Sequence, residues 1–224
     1  MSARTKRPAD GRPLDRRVAR AVATRAAVVD ALLGLLHEGD LRPTAPRIAA
    51  RARVSLRSVF QHFADLDALF AAAADRQSEY VRSLAARLDG DGAFERRLNA
   101  FVAQRARILE AIGPVRRAAL LMEPFSDEIQ TRLAQARGLG RTELARVFAP
   151  ELRSRPAAAR RDILAALATA SGFSTWEVLR SHQRLPVARA QRVMARTLRA
   201  LLTERVTPPR GAAPSRKPSR QPRR

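Results

Sequence analysis

Four arginines and no acid stand between Arg47 and Phe63, in the run RIAARARVSLRSVFQHF. Within it Arg57 and Gln61 are four residues apart, which puts both on one side of a short helix. A planar guanidinium pairs in bidentate fashion with guanine O6 and N7, discriminating between bases by roughly 1–3 kcal/mol, and a glutamine amide can pair with adenine in the same way. With no carboxylate to repel phosphate, that side suits the major groove of a duplex. Other chemistry finds little support. The chain has no cysteine, so thiolate catalysis, disulfides and thiolate-held zinc are excluded, and His37, His62 and His182 are its only imidazoles. Neither a nucleophile with its base, nor paired carboxylates, nor a phosphate-cradling glycine loop is apparent. The chain reads as a non-enzyme without metal or cofactor.

The residues from Thr44 to Phe63 fit two short helices and a tight turn. Ile48, Ala49 and Ala52 form the inner face of the first helix, Val54 plugs the turn, and Val59 with His62 or Phe63 forms the inner face of the second. Ser55 is a ready N-cap for that second helix. Leu56, Arg57, Ser58, Phe60 and Gln61 remain outward. Pro46 restrains Ala45 away from helical angles, which predicts a start one residue later than a Thr44 cap implies.

This stretch, from about Arg25 to Ala73, resembles the DNA-binding domain of the tetracycline-repressor family of bacterial transcription regulators. The resemblance rests on Gly39, Thr44, Ile48 and Ala49, Ala52, Val54 and Ser55, and Phe60 with His62 and Phe63, and covers under a quarter of the chain. It implies that Leu56, Arg57 and Gln61 read base edges while Thr44, Ser55, Ser58, Phe60 and His62 line phosphates. Arg47 and Arg53 complete the expected DNA-facing set. Three positions depart from the family pattern. Arg53 stands where a glycine with positive φ is usual, at a cost on the order of 1–2 kcal/mol. Phe60 replaces the usual Tyr and lacks its hydroxyl, and Leu66 replaces a common Lys. Arg4, Lys6, Arg7 and Arg12 of a basic N-terminal arm can compensate by following the minor groove or backbone.

The chain of 224 residues has a formal net charge of +22. Residues 1–20 and 205–224 supply +12 of it and residues 21–204 the other +10. Such a balance attracts polyanions, nucleic acid first. A non-specific nucleic-acid-binding architectural protein is therefore the alternative function. GC-rich coding is an alternative source of the arginine excess, since Lys6 and Lys217 are the only lysines. With 4% aromatic residues a membrane-surface role is disfavoured, and the absence of a long apolar run predicts a soluble, cytoplasmic protein.

Hydrophobic spacing and Pro/Gly punctuation predict an all-α fold, and the family resemblance implies its layout: an N-terminal three-helix helix-turn-helix domain joined by a long helix to a C-terminal helical effector and dimerisation domain. The expected divisions are a disordered basic arm (1–16), the DNA-binding domain (17–64), the effector and dimerisation domain (65–206) and a disordered basic tail (207–224). A first helix runs from Arg16 to about His37 with Val18 and Val22 on its apolar stripe, ended by Gly39. Asp65 caps a helix reaching Leu88, and further helices lie near 93–112, 114–122, 125–148, 156–183 and 186–205. The family resemblance implies that the last two helices of each chain make a four-helix homodimer interface, through Val187, Ala190, Met194, Leu198 and Leu201; packing inside a monomer is the alternative. It further implies a small-molecule effector, of unknown identity, for which Phe101, Gln104, Met122, Phe125, Phe148, Ser171 and Trp176 are the candidate contacts. A ligand-responsive repressor acting on a palindromic duplex operator is the implied function.

Overall fold

The structure is a computed structural model that describes residues 13–204. The arm residues Arg4, Lys6, Arg7 and Arg12 and the tail 207–224 lie outside the described residues. The elements are α1 (Pro13–His37), α2 (Ala45–Ala52), α3 (Leu56–His62), α4 (Leu66–Leu84), α5 (Phe94–Met122), a 3₁₀ turn (Glu123–Phe125), α6 (Asp127–Val147), α7 (Ala149–Arg153), α8 (Ala157–Ala170), α9 (Phe173–Glu177) with a π-helical turn (Val178–His182), and α10 (Val187–Thr203). Among the described residues there is no strand, and no helix is long and apolar enough to cross a membrane.

Two apolar clusters organise these helices. The first gathers Leu32 and Leu36 of α1, Ile48 of α2, Val59 of α3 and Leu69 and Phe70 of α4. It extends past residue 64, because α4 closes its open side and Val115 and Ala118 of α5 complete it. The second packs Leu98, Phe101 and Leu109 of α5 against Leu144, Leu167, Trp176 and the inner face of α10. α5 thus runs through both. That explains why Pro114 does not end the helix, as the sequence predicts it should. The proline frees the Glu110 carbonyl from its helical bond, but Leu109 on one side and Val115 on the other are each held in a core.

Other boundaries also differ from expectation. α1 begins at Pro13 rather than Arg16, so the last four residues of the expected arm are helical. Its first turns pass beyond the core, and Val18 and Val22 are 60% and 64% exposed rather than buried. α4 stops at Leu84, four residues short of Leu88, whose carbonyl instead accepts from Arg146 Nη1 at 2.8 Å. The segment 156–183 breaks at Ser171 and Gly172, where a Cβ on Gly172 would meet the Ala168 carbonyl at 3.0 Å. The end of α1 follows the sequence: Gly39 at φ +93° donates to Leu36 O, and Asp40 donates to Leu35 O, closing the helix in a Schellman motif.

Candidate nucleic-acid interface

α2 begins at Ala45, with no delay from Pro46. The proline falls within the first turn, where its missing N–H costs nothing, and the Thr44 carbonyl accepts from Ile48 N at 3.0 Å. The Thr44 hydroxyl makes no capping bond, and the side chain is exposed. α2 ends at Arg53, at φ 56° and ψ 40°, in the left-handed region expected for this position. Arg53 N donates to Ala50 O and Val54 N to Ala49 O, a second Schellman turn built on arginine instead of glycine. Ser55 then caps α3 as its sequence position suggests, its Oγ accepting from Ser58 N at 3.1 Å.

Burial fixes which way α3 faces. Val59 and Phe63 are buried against the first cluster, while Leu56, Arg57, Phe60 and Gln61 are exposed and Ser58 and His62 half-buried. Val54 and Ala52 are half-buried at the turn, as a plug and a crossing point require. A contact that sequence reasoning missed holds the far end of α3: the Arg25 guanidinium of α1 lies 4.5 Å from the Phe63 ring centroid. The pair is 38 residues apart along the chain, so no local signal announces it.

Charge on this surface is unevenly available. Arg51 pairs with Glu38 at 2.7 Å, lying against Gly34, where a Cβ would come within 2.6 Å of the guanidinium. That hydrogen bond holds the Glu38 carboxyl below its ordinary range. Arg47 Nε lies 3.3 Å from Asp40 Oδ2, in contact but without hydrogen-bond alignment. Arg53 and Arg57 belong to no ion pair among the described residues, and α2 and α3 carry no acid in their first turns. Leu66 opens α4 half-buried on the first cluster, so its apolar character is used in packing.

The expected effector contacts do not all meet. Phe101 and Phe148 touch edge to face at 5.4 Å between centroids, both buried. Gln104, Ser171 and Trp176 are buried as well, whereas Phe125 is 77% exposed and Met122 half-buried at the α5 end. The last two are thus corrected to surface or rim positions. They follow the end of α5 out of the core. Ser171 Oγ donates to Leu167 O at 2.8 Å, satisfied within its own helix. A cavity of about 260 Å³ does border Trp176, between α5 and the π-helical turn, with Glu110, Arg117, Glu177 and Arg180 in its wall. Those charges are already matched. Glu110 accepts from Arg180 and from Trp176 Nε1, and the Arg180 bond foremost keeps its carboxyl low. At Glu177 burial pushes the carboxyl up, but hydrogen bonds from Arg117 and Ser181 outweigh it.

The expected interface stripe is also corrected. Ala190, Met194 and Leu198 are all but fully buried in the second cluster of the same chain, and Val187 and Leu201 pack on its edge. Their spacing identified an apolar face correctly, but α5 and α8 already cover it.

No family model matches the chain, and no curated protein does. Among solved structures, the crystal structure of a transcriptional regulator from Rhodococcus sp. Rha1 superposes with a TM-score of 0.61 at 19% identity, covering 81% of this chain and 95% of that one. The all-helical fold is therefore shared with that protein.

Proposed function

We propose that this chain is a DNA-binding transcriptional regulator of the tetracycline-repressor type, reading a palindromic duplex operator as a homodimer and released by a small-molecule effector. One observation carries the reading: α3 buries Val59 and Phe63 and turns Arg57 and Gln61 outward on a surface whose nearby acids are occupied by Arg47 and Arg51. The shared fold with a protein described as a transcriptional regulator supports it. Residues 17–64 with the start of α4 are then the DNA-binding head, and the helices from α5 onward the effector and dimerisation body. Leu56, Arg57 and Gln61 contact bases, while Thr44, Arg47, Arg53, Ser55, Ser58, Phe60 and His62 lie along the backbone.

A lone seven-residue reading helix spans few base pairs, and a two-fold pair spans half-sites about 34–36 Å apart or more. With the inner stripe of α10 covered, we assign the partner surface to the outward side of α8 and α10, where Ala158, Ala165, Val193 and Ala200 are exposed. The formal charge of +22 favours a second reading, non-specific coating of nucleic acid. Measuring affinity for DNA flanking the chain's own gene and for random duplex at physiological salt separates the two. A regulator prefers its site by roughly 10³–10⁷, whereas equal affinities leave only the coating role.

A further inference from the structure

Most enclosed arginines among the described residues are matched by an acid, Arg155, which donates to Leu202 O, being an exception outside α5. Arg97, 5% exposed, donates to both Glu151 carboxylate oxygens, to Val147 O and to Gly92 O. Two arginines further along α5 are not. Arg105 and Arg116 are both half-buried and belong to no ion pair among the described residues. Eleven residues apart, they fall three helical turns from each other on nearly the same face, about 16 Å between Cα atoms. Only the two side chains together, each reaching about 6–7 Å from its Cα, are long enough to close most of that gap.

Their surroundings are short of negative charge. Arg105 Nε donates to the Ser171 carbonyl at the end of α8, at 2.9 Å, using one of five N–H donors. Its Nη atoms lie against α6 at Gly140, where a Cβ would stand 3.1 Å away. Those atoms are not among the sealed, unpartnered ones, so solvent still reaches them. Arg116 makes no side-chain hydrogen bond among the described residues, and the nearby Glu123 carboxylate is already held bidentate by Arg137. Burial foremost, and then the Arg116 charge, push the Arg105 guanidinium down to about 10. Arg116 is lowered by burial and then by Arg137, with the Glu123 carboxylate, itself bound to Arg137, offsetting this only in part. Two partly desolvated like charges with no acid in direct contact are costly, which is why buried charges are ordinarily paired.

We propose that Arg105 and Arg116 form an anion site in the body, taking the carboxylate or phosphate group of a small molecule between α5 and α6. The α6 wall suits entry. Gly138 and Gly140 weaken the middle of that helix, and residues 134–139 are exposed. Binding itself needs nothing from the regulator reading; only its consequence for the operator rests on that reading.

The test uses the full chain at constant ionic strength set with sodium chloride, with inorganic phosphate, benzoate and the neutral benzyl alcohol as probes. Calorimetry and thermal melts are expected to show saturable binding of phosphate, benzoate or both, and none of benzyl alcohol. Stronger benzoate binding identifies a carboxylate ligand, and stronger phosphate binding a phosphorylated one. R105Q and R116Q should each weaken binding roughly tenfold or more, while R107Q, which removes an exposed charge on the other side of α5, leaves it unchanged. R116Q without ligand should melt no lower than the parent, since it relieves repulsion and breaks no bond. The proposal is overturned if benzyl alcohol binds as well, if no probe saturates, if R107Q matches R105Q, or if R116Q alone destabilises the free protein. Anion binding without any operator preference would instead overturn the regulator reading and leave this site standing.

Discussion

Arg57 and Arg53 sit four residues apart and have different work. Arg57 is free of acids and exposed on α3, so on the proposed reading replacing it should remove base discrimination and little stability. R57A is expected to weaken operator binding by about 1–3 kcal/mol while leaving random-duplex affinity far less changed; competition gel shifts measure both. Arg53 holds φ 56° with a side chain that glycine would dispense with. R53G should add about 1 kcal/mol of stability, and a melt a few degrees higher would register it. The same change removes an unpaired guanidinium next to the reading helix, so DNA affinity should fall. A lower melting temperature would mean that Arg53 makes contacts worth more than its strain.

At the scale of elements, α5 and α6 contrast. α5 tolerates an internal proline because the turns on either side of it are buried in cores. α6 has thinner support, and its Arg137-Gly138-Leu139 stretch faces solvent, with Leu139 74% exposed. A Cβ at Gly138 would meet no atom within 4 Å. G138A should therefore stabilise the chain by about 0.5–1 kcal/mol through helix propensity alone, seen as a rise in chemical denaturation midpoint. Gly140 differs, because a methyl there would crowd Arg105.

Across the whole molecule, the two apolar clusters are joined by α5 and by charged contacts between α4 and α6. Arg132 of α6 binds both Asp75 of α4 and Glu128, a link through which, on the proposed reading, a shift of α6 would reach α4. Asp75 is well exposed, and such a pair contributes at most about 1 kcal/mol to stability. D75N should keep the melting temperature and operator affinity but blunt the operator release caused by an anion, read by fluorescence anisotropy of labelled DNA. The global charge acts separately. Residues 205–224 hold seven basic side chains and no acid; deleting them should lower random-duplex affinity and flatten its salt dependence. Operator preference should rise as a result. If preference collapses with the tail, the tail rather than α3 supplies the specificity.

Short-range chemistry was readable from the residues in order. Ser55 and Asp65 cap their helices because an N-cap needs only a side-chain oxygen beside the next three amides. Gly39 follows from the helix it ends, the strained Arg53 from the family resemblance, and the outward Arg57 and Gln61 from spacing. Periodicity also found the α10 stripe, but it cannot say whether the covering surface belongs to the same chain or another; the fold put α5 and α8 there. The stacking of Arg25 on Phe63, the continuity of α5 through Pro114, and the unmatched charges of Arg105 and Arg116 were settled only in three dimensions. Each depends on what a distant segment brings within a few ångströms, and desolvation is a property of that enclosure rather than of the residue.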